Sequence, residues 1–527
     1  MDRKSMHEKN IEPQKGQRLF LLSLLFVFSF TTQTAFSQSE NSHLHYVISI
    51  PEPASHTYLL ELNCREWNQD TIHLKMPNWM PGYYQIMDYA KAVENIRAND
   101  EHGKNIPVER TNDNTWILTG IKNKTFVVSY SIRTHRQFVA NSYVDSTHAY
   151  LLPENTFLYP DGFLQTPVSV RVIINPEWER IATGLELVAG KSDEFTAPDF
   201  DILYDCPILI GNLEELPSFK VQGIEHRFIG YKIGDFDRAL FMDNLKKVVQ
   251  AAVSIMGDLP YEQYTFIGIG PGRGGIEHLN NTTISFDGSR LTTPEAMNRM
   301  MNFIAHEYFH HYNVKRIRPF ELGPFDYDQG SKTNLLWVSE GLTVYYEYLI
   351  VKRAELIDAE TLLSHFDENL NAHENNPGRF YQSLSQASYN TWEDGPFGTQ
   401  GREPDKSISY YDKGPVVGLL LDFEIRNATN NNKSLDDVMR LLYWKYYKEE
   451  GRGFTDAEFQ QACELVAGIS LRDLFEYVYT TKEPDYTKYL SYAGLEIDKT
   501  REQKLRISRM KNPNLLQSAI LNSWLGE

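Results

Sequence analysis

Cysteine is scarce. The 527 residues hold three, Cys64, Cys206 and Cys463, far apart and odd in number. That excludes a small disulfide-stapled scaffold, and a chain this long needs no disulfides to hold its core. All three read as buried thiols and none as a metal ligand. Positive charge is also short, with a formal net charge of −18. Nucleic acid is a poor partner for such a chain, since binding it takes a basic face; the acidity reads as solvated surface. Beyond the first thirty residues no segment is apolar enough to span a membrane, and no internal repeat or low-complexity tract appears. What remains is an ordinary globular composition, with aromatics high at 13% and length for about two to four domains.

The first residues carry an address. Lys15 and Arg18 precede an unbroken apolar stretch from Leu19 to Leu22 that resumes from Leu24 to Phe28. The run is the size of a signal-peptide core and short for a bilayer span. Ala35-Phe36-Ser37 offers the small residues of a cleavage site, and no cysteine follows that would take a lipid. Residues 1–37 are therefore read as a removable signal peptide, leaving the protein periplasmic or secreted; an uncleaved anchor is the alternative.

The chemistry centres on His306-Glu307-Tyr308-Phe309-His310. Four residues of helix put both imidazoles on one face, with Glu307 beside them, placed to take a proton from an attacking water. Thr293 is an expected N-cap and Pro294 suits the first helical position. Met297, Met300, Met301, Ile304 and Ala305 follow at helical spacing, and Pro319 bounds any continuation. On its own the five-residue pattern equally fits a buried helix with a satisfied core histidine. Thirty residues on, Trp337-Val338-Ser339-Glu340-Gly341 opens a second helical stretch with a carboxylate near its start. Catalytic zinc takes three protein ligands and keeps one open position; His306, His310 and Glu340 supply that set, of the thermolysin type. Glu347, two turns past Glu340, reads either as a carboxylate steadying a ligand or as a surface charge. His311 points about 100° away from His310 on a helix and is not expected to be a ligand.

Residues 38–215 read as a β domain of the sandwich type, from short β-branched and aromatic runs such as His45–Ile50, Tyr58–Leu62 and Thr125–Tyr130. Its loop Pro77-Asn78-Trp79-Met80-Pro81-Gly82-Tyr83-Tyr84 is either a peptide-contacting rim or an aromatic plug between domains. Residues 216–375 are expected to be the catalytic domain. Within them Gly274-Gly275-Ile276-Glu277-His278 could expose a strand edge that pairs with an extended peptide, Glu277 meeting the free amine; a plain tight turn is the other reading. Residues 376–490 read as mostly helical, after a turn-rich stretch, Asn376–Ser409, that either hangs over the cleft or packs as an irregular connection.

Taken together, these stretches resemble the glycyl aminopeptidase family of gluzincin metallopeptidases. The likeness rests on Met76–Tyr84, Gly274–His278, His306–His310 with Asn313-Val314-Lys315-Arg316, Trp337–Gly341, Ser385–Trp392 and Ser409–Gly414. It implies a multidomain α+β chain with an N-terminal β-sandwich-like domain, a thermolysin-like catalytic domain and helices after it. It also implies one Zn2+ on His306, His310 and Glu340, with Glu307 as general base. By the same resemblance Glu277 binds the substrate α-amine; Gly274 and Gly275 read as substrate-binding beside it, and His278 either bounds the substrate pocket or has a structural role. Tyr411 is implied as the tyrosine that steadies the transition state, with Tyr410 as its rival. Family members often carry a C-terminal PDZ domain; here, in the short tail of residues 491–527, Ser491–Asp498 resembles the join to one, but what remains, Lys499–Glu527, is expected to add a strand and a helix at most.

The expectation is an exported zinc aminopeptidase that acts on peptides with a free N-terminus, with a preference for N-terminal Gly or Ala implied by the family alone. A thermolysin-like endopeptidase and an exported peptide-binding protein with a relic metal site are the competing readings. Side-chain preference, physiological substrate and oligomeric state are not legible.

Overall fold

Alternation builds the first half of the chain. In Leu44–Ser49 and Thr57–Trp67 every second side chain is buried, the period-two pattern of a strand with one face on a core. The structure, a computed structural model, describes residues 44–527; the expected signal peptide lies outside the described residues. Leu44–Ser49 and Thr57–Trp67 sit in the middle of an eight-stranded sheet. They pair antiparallel, Tyr46 opposite Leu62. Two four-stranded sheets, one containing His148–Leu151 and the other Thr71–Lys75, complete the β-rich domain around one apolar core.

From Glu214 the pattern changes. A six-stranded sheet forms with Ile224–Gly230, Gln263–Gly268 and Asn281–Ile284 running parallel side by side. Gly275–Glu277 pairs antiparallel with Asn281–Ile284 and ends the row, so one of its edges is free. Helices pack against the sheet. Arg238–Met256 is capped by Asp237 and ended by Gly257 at φ 76°. Pro294–Phe309 starts as its sequence predicts, with the Thr293 hydroxyl accepting the Ala296 N–H at 3.2 Å and Pro294 in the first turn. Trp337–Gly341 forms a π-helical turn, not the expected α-helix, and runs into the helix Leu342–Arg353. Such turns are rare and recur where a helix must re-aim a functional side chain.

Later helices join the same core. Ala359–Glu374 and Tyr410–Ala428 flank Leu342–Arg353, and one continuous apolar cluster extends from Leu216 to Leu525. The tail makes a hairpin, Leu495–Lys499 with Leu505–Arg509, and the helix Leu515–Leu525. Asp367 and Asn371 side chains accept the Ile507 and Leu505 N–H groups. Trp524 is fully buried, its indole N–H donating to Tyr345 Oη at 3.0 Å. Among the described residues no helix is long and apolar enough to cross a membrane, and Cys64, Cys206 and Cys463 are buried free thiols.

Two glycines set the distance between the π turn and Tyr410–Ala428. A Cβ on Gly414 would lie 2.6 Å from the Gly341 Cα, and one on Gly341 would lie 2.7 Å from the Gly414 Cα. Neither backbone can yield without moving its whole element. Gly414→Ala is expected to destabilise the protein by about 1–3 kcal/mol, as overpacking does. The measurement is a urea melt, in which the midpoint falls while the slope holds.

Candidate metal centre and cleft

His306 and His310 lie one turn apart at the end of Pro294–Phe309, and their Nε2 atoms approach to 3.0 Å. The other nitrogen of each ring has a partner that settles which atom carries the proton. His310 Nδ1 donates to the Asn313 backbone carbonyl at 2.8 Å, and a carbonyl can only accept. His306 Nδ1 donates to Glu347 at 2.6 Å. Both Nε2 atoms therefore present lone pairs. Glu340 Oε2 joins them, 3.2 Å from His310 Nε2 and 3.6 Å from His306 Nε2. All three side chains are buried, and they alone among the described residues form a group of ligand atoms fit for an ion. In the neutral rings the two Nε2 lone pairs and the carboxylate oxygen converge on one point, where a cation would hold all three. The donor set fits a metal ion.

The surroundings orient these donors. Glu347 also accepts from Asn302 Nδ2 at 2.6 Å, which fixes the carboxylate that fixes His306. Of its two readings, the ligand-steadying one describes its contacts. Asn313 reaches the other way. Its Nδ2 donates to the Val338 carbonyl at 2.7 Å and the Thr343 hydroxyl at 3.0 Å. One residue thus ties the histidine helix to the π turn that carries Glu340. Sequence reasoning missed Asn302 and, though it singled out the stretch that opens with Asn313, gave that residue no role; the signal for Asn302 was its place four residues before His306, on the same helix face.

A cleft of about 1120 Å³ opens beside the donors. Glu307 lines it, and burial pushes its carboxyl up to about 8 although the two histidines pull the other way. A carboxylate whose proton affinity sits near neutrality is suited to accept and return a proton. The edge strand lies directly against it: a Cβ on Gly275 would come within 2.6 Å of Glu307 Oε1. Tyr411 Oη donates to Glu340 Oε2 at 2.8 Å. Tyr410 is turned aside, its hydroxyl against Thr391 Oγ1 at 3.1 Å, so Tyr411 is the one whose hydroxyl reaches the donor group. Burial, then Glu340, raise the Tyr411 phenol well above its ordinary value, so it stays a donor.

Glu277 is buried at the end of the edge strand, its carboxylate under the Gly82 backbone, where a Cβ would lie 2.9 Å from either oxygen. Gly82 at φ 91° comes from the β domain. Gly274 and Gly275 line the cleft. His278 does not: it follows the last residue of the strand and its ring faces Asp205, Nδ1 to Oδ1 3.3 Å. His311 is fully buried among Tyr261, Tyr264 and Tyr308, away from the metal donors.

The aromatic loop divides its two readings between neighbouring residues. Trp79 is a plug, fully buried in the catalytic core with its indole N–H on the Asp326 carbonyl at 2.5 Å. Tyr83 and Tyr84 line the cleft, and Tyr84 Oη reaches Glu340 Oε1 at 3.4 Å. Across the opening, Gln85 Nε2 donates to Gln400 Oε1 at 2.5 Å. The loop expected over the cleft thus meets the β domain there, and Pro396 and Phe397 form part of the wall.

Comparison with known proteins follows this geometry. The M61 peptidase N-terminal domain matches residues 45–212, and the M61 glycyl aminopeptidase domain matches residues 299–417. Together they take in more than half of the chain. An aminopeptidase N family protein of Idiomarina loihiensis is 26% identical with a TM-score of 0.81, covering 87% of this chain and 79% of that one. An M1 zinc metallopeptidase of Deinococcus radiodurans, crystallised as a mutant bound to a Tyr-Ser-Ala substrate, is 13% identical with a TM-score of 0.52 over 84% of this chain and 94% of that one. Aminopeptidase A of Legionella pneumophila, in complex with aspartic acid, is 15% identical with a TM-score of 0.51 over 90% of this chain and 52% of that one. These last two speak for the fold alone, a β-rich domain followed by a thermolysin-like catalytic domain and helices. A search among curated proteins returns no match. Two matched domains in their proper order, on a fold that closes a His-His-Glu donor group beside a cleft, place the chain in the M61 glycyl aminopeptidase family of metallopeptidases.

Proposed function

We propose that this metallopeptidase is an exported zinc aminopeptidase that removes small N-terminal residues, glycine and alanine foremost, from peptides. The observation that carries the reading is the order of groups along the edge strand. Gly275 lies on Glu307, beside the metal donors, and Glu277 lies two residues further on, buried under Gly82. A carboxylate at that point pairs with an α-ammonium and counts one residue from the chain end. Two imidazoles and a carboxylate suit zinc among the divalent ions. The description of the matching family as glycyl aminopeptidases supports the small side chain, as does the crowding of Glu277 by Gly82. Export rests on the signal-like run before residue 38.

The residues then have these roles. His306, His310 and Glu340 hold the ion. Zinc bound there supplies Lewis-acid chemistry, polarising oxygen donors and lowering the proton affinity of water. The free edge of Gly275–Glu277 pairs with the extended substrate backbone. Glu277 takes the α-ammonium and sets the first peptide carbonyl above Glu307. Glu307 accepts a proton from the attacking water and returns it to the departing amine. The Tyr411 hydroxyl turns from Glu340 to donate to the oxyanion as charge develops there.

Glu307→Gln is expected to keep one equivalent of zinc by elemental analysis and to lose turnover by about 10²–10⁴-fold, the contribution of a general base; retained activity would refute the assignment. A panel of aminoacyl-amides should rank glycine and alanine first. Glu277→Gln should weaken these free-amine substrates far more than it weakens inhibition by N-acetylated peptides. Equal losses on both would instead indicate an endopeptidase. Sequencing the N-terminus of the protein recovered from the exported fraction should begin near residue 38; a chain that retains Met1 there contradicts the cleavage.

A further inference from the structure

Behind Glu277 lies a buried ionic cluster that the roles above do not use. Lys315 is almost entirely enclosed, and its Nζ sits 2.5 Å from Asp205 Oδ1. Asp205 belongs to the β domain, at the end of the short helix Phe200–Tyr204. Its carboxylate also accepts the Leu279 backbone N–H at 2.6 Å and faces His278 Nδ1. Its backbone carbonyl accepts Asn281 Nδ2 at 3.2 Å. One β-domain residue therefore pins the chain at the residues that directly follow Glu277. Burial works against the Lys315 charge, yet the fields of Asp205, then Glu277, then Glu154 keep Lys315 above its ordinary value. Glu154, also buried, is pushed well above the carboxylate range by desolvation.

Lys315 reaches this position through an unusual turn. Val314 has φ 142°, a conformation that L residues rarely adopt, least of all β-branched ones. Asn313 anchors the residue before it, and the Lys315 N–H bonds the His310 carbonyl at 3.1 Å after it. The strain is located where the chain turns from the metal donors to the amine end of the cleft.

We propose that the Lys315–Asp205 pair is a positioning device for amine recognition, in which the ammonium holds the Asp205 carboxylate and Asp205 fixes the chain directly beyond Glu277. The inference rests on Glu277 binding the substrate amine.

The test is a double-mutant cycle on glycyl- and alanyl-amides, with zinc content and the inhibition constant of an N-acetylated peptide measured on every variant. Lys315→Met and Asp205→Asn are expected to raise KM for the free-amine substrates by about tenfold, the size of a coupling between contacting charged groups. Zinc content, kcat and the constant for the N-acetylated peptide should hold within about threefold. Lys315→Arg should recover most of the loss, and adding Glu277→Gln to either variant should cost little more than Glu277→Gln alone. Equal losses on free and blocked ligands, or effects that add fully to Glu277→Gln, would overturn the proposal and leave the pair a structural one. Should Lys315→Met fail to fold, Asp205→Asn and Lys315→Arg decide on the same criteria. Should Glu277→Gln itself leave free-amine substrates unaffected, the amine assignment falls first.

Discussion

Three donor atoms, two imidazole nitrogens and a carboxylate oxygen, held out of water within 3.6 Å of one another, are the constraint on which this protein is built. Nothing in the apolar core favours that arrangement. It is imposed by groups one step removed: the Asn313 carbonyl takes the proton of one imidazole and Glu347 takes that of the other. Asn302 then holds Glu347, and Asn313 Nδ2 holds the turn that brings Glu340. Each of these bonds is local and ordinary. Their sum keeps the three donor atoms together, so binding a cation also contributes to the stability of the fold.

That coupling explains why the two halves of the molecule do not separate at the site. Trp79 and Tyr84 belong to the β domain by sequence and to the catalytic core by packing. Tyr84 reaches the same carboxylate that Tyr411 does, from the opposite wall. Asp205 crosses in the same direction and binds the strand that carries Glu277. The catalytic domain supplies donors and proton acceptor; the β domain supplies one wall and closes the end of the cleft. A peptide that enters meets groups from both, and their relative placement decides how far it can advance.

What could be read in the sequence follows from the range of each interaction. The histidine helix is legible because its cap, its proline and its apolar seam all lie within sixteen residues, and the four-residue spacing of His306 and His310 has one geometric meaning on a helix. The free strand edge at Gly275 is legible for a similar reason, since paired glycines mark close backbone approach. The π turn at Trp337–Gly341 is not: nothing local distinguishes it from an α-helix, and Gly341 within it packs against Gly414, seventy-three residues on. His278 looks like a cleft residue as long as its neighbour Asp205 is unknown. Tyr84 is visible as part of an aromatic loop, but its target, Glu340, is set by how the domains dock.

The same range argument accounts for where the backbone is under most constraint. Gly275 admits the strand to Glu307, Gly82 admits a loop to Glu277, and Gly341 with Gly414 lets two helical elements touch. At Gly275 and Gly82 the missing side chain lets a carboxylate approach backbone, and at Gly341 and Gly414 it lets backbone approach backbone. Val314 shows the complementary case, a residue with a side chain held at φ 142° because the chain must pass from His310 to Lys315 within a few residues. Such a conformation costs on the order of 1–3 kcal/mol and persists only if what surrounds it contributes more. Asn313 on one side and the Lys315–Asp205 pair on the other supply those bonds. Strain of that size is tolerable here because the bonds that hold it are also those that aim the metal donors and pin the chain beyond Glu277, so relaxing it would misplace both.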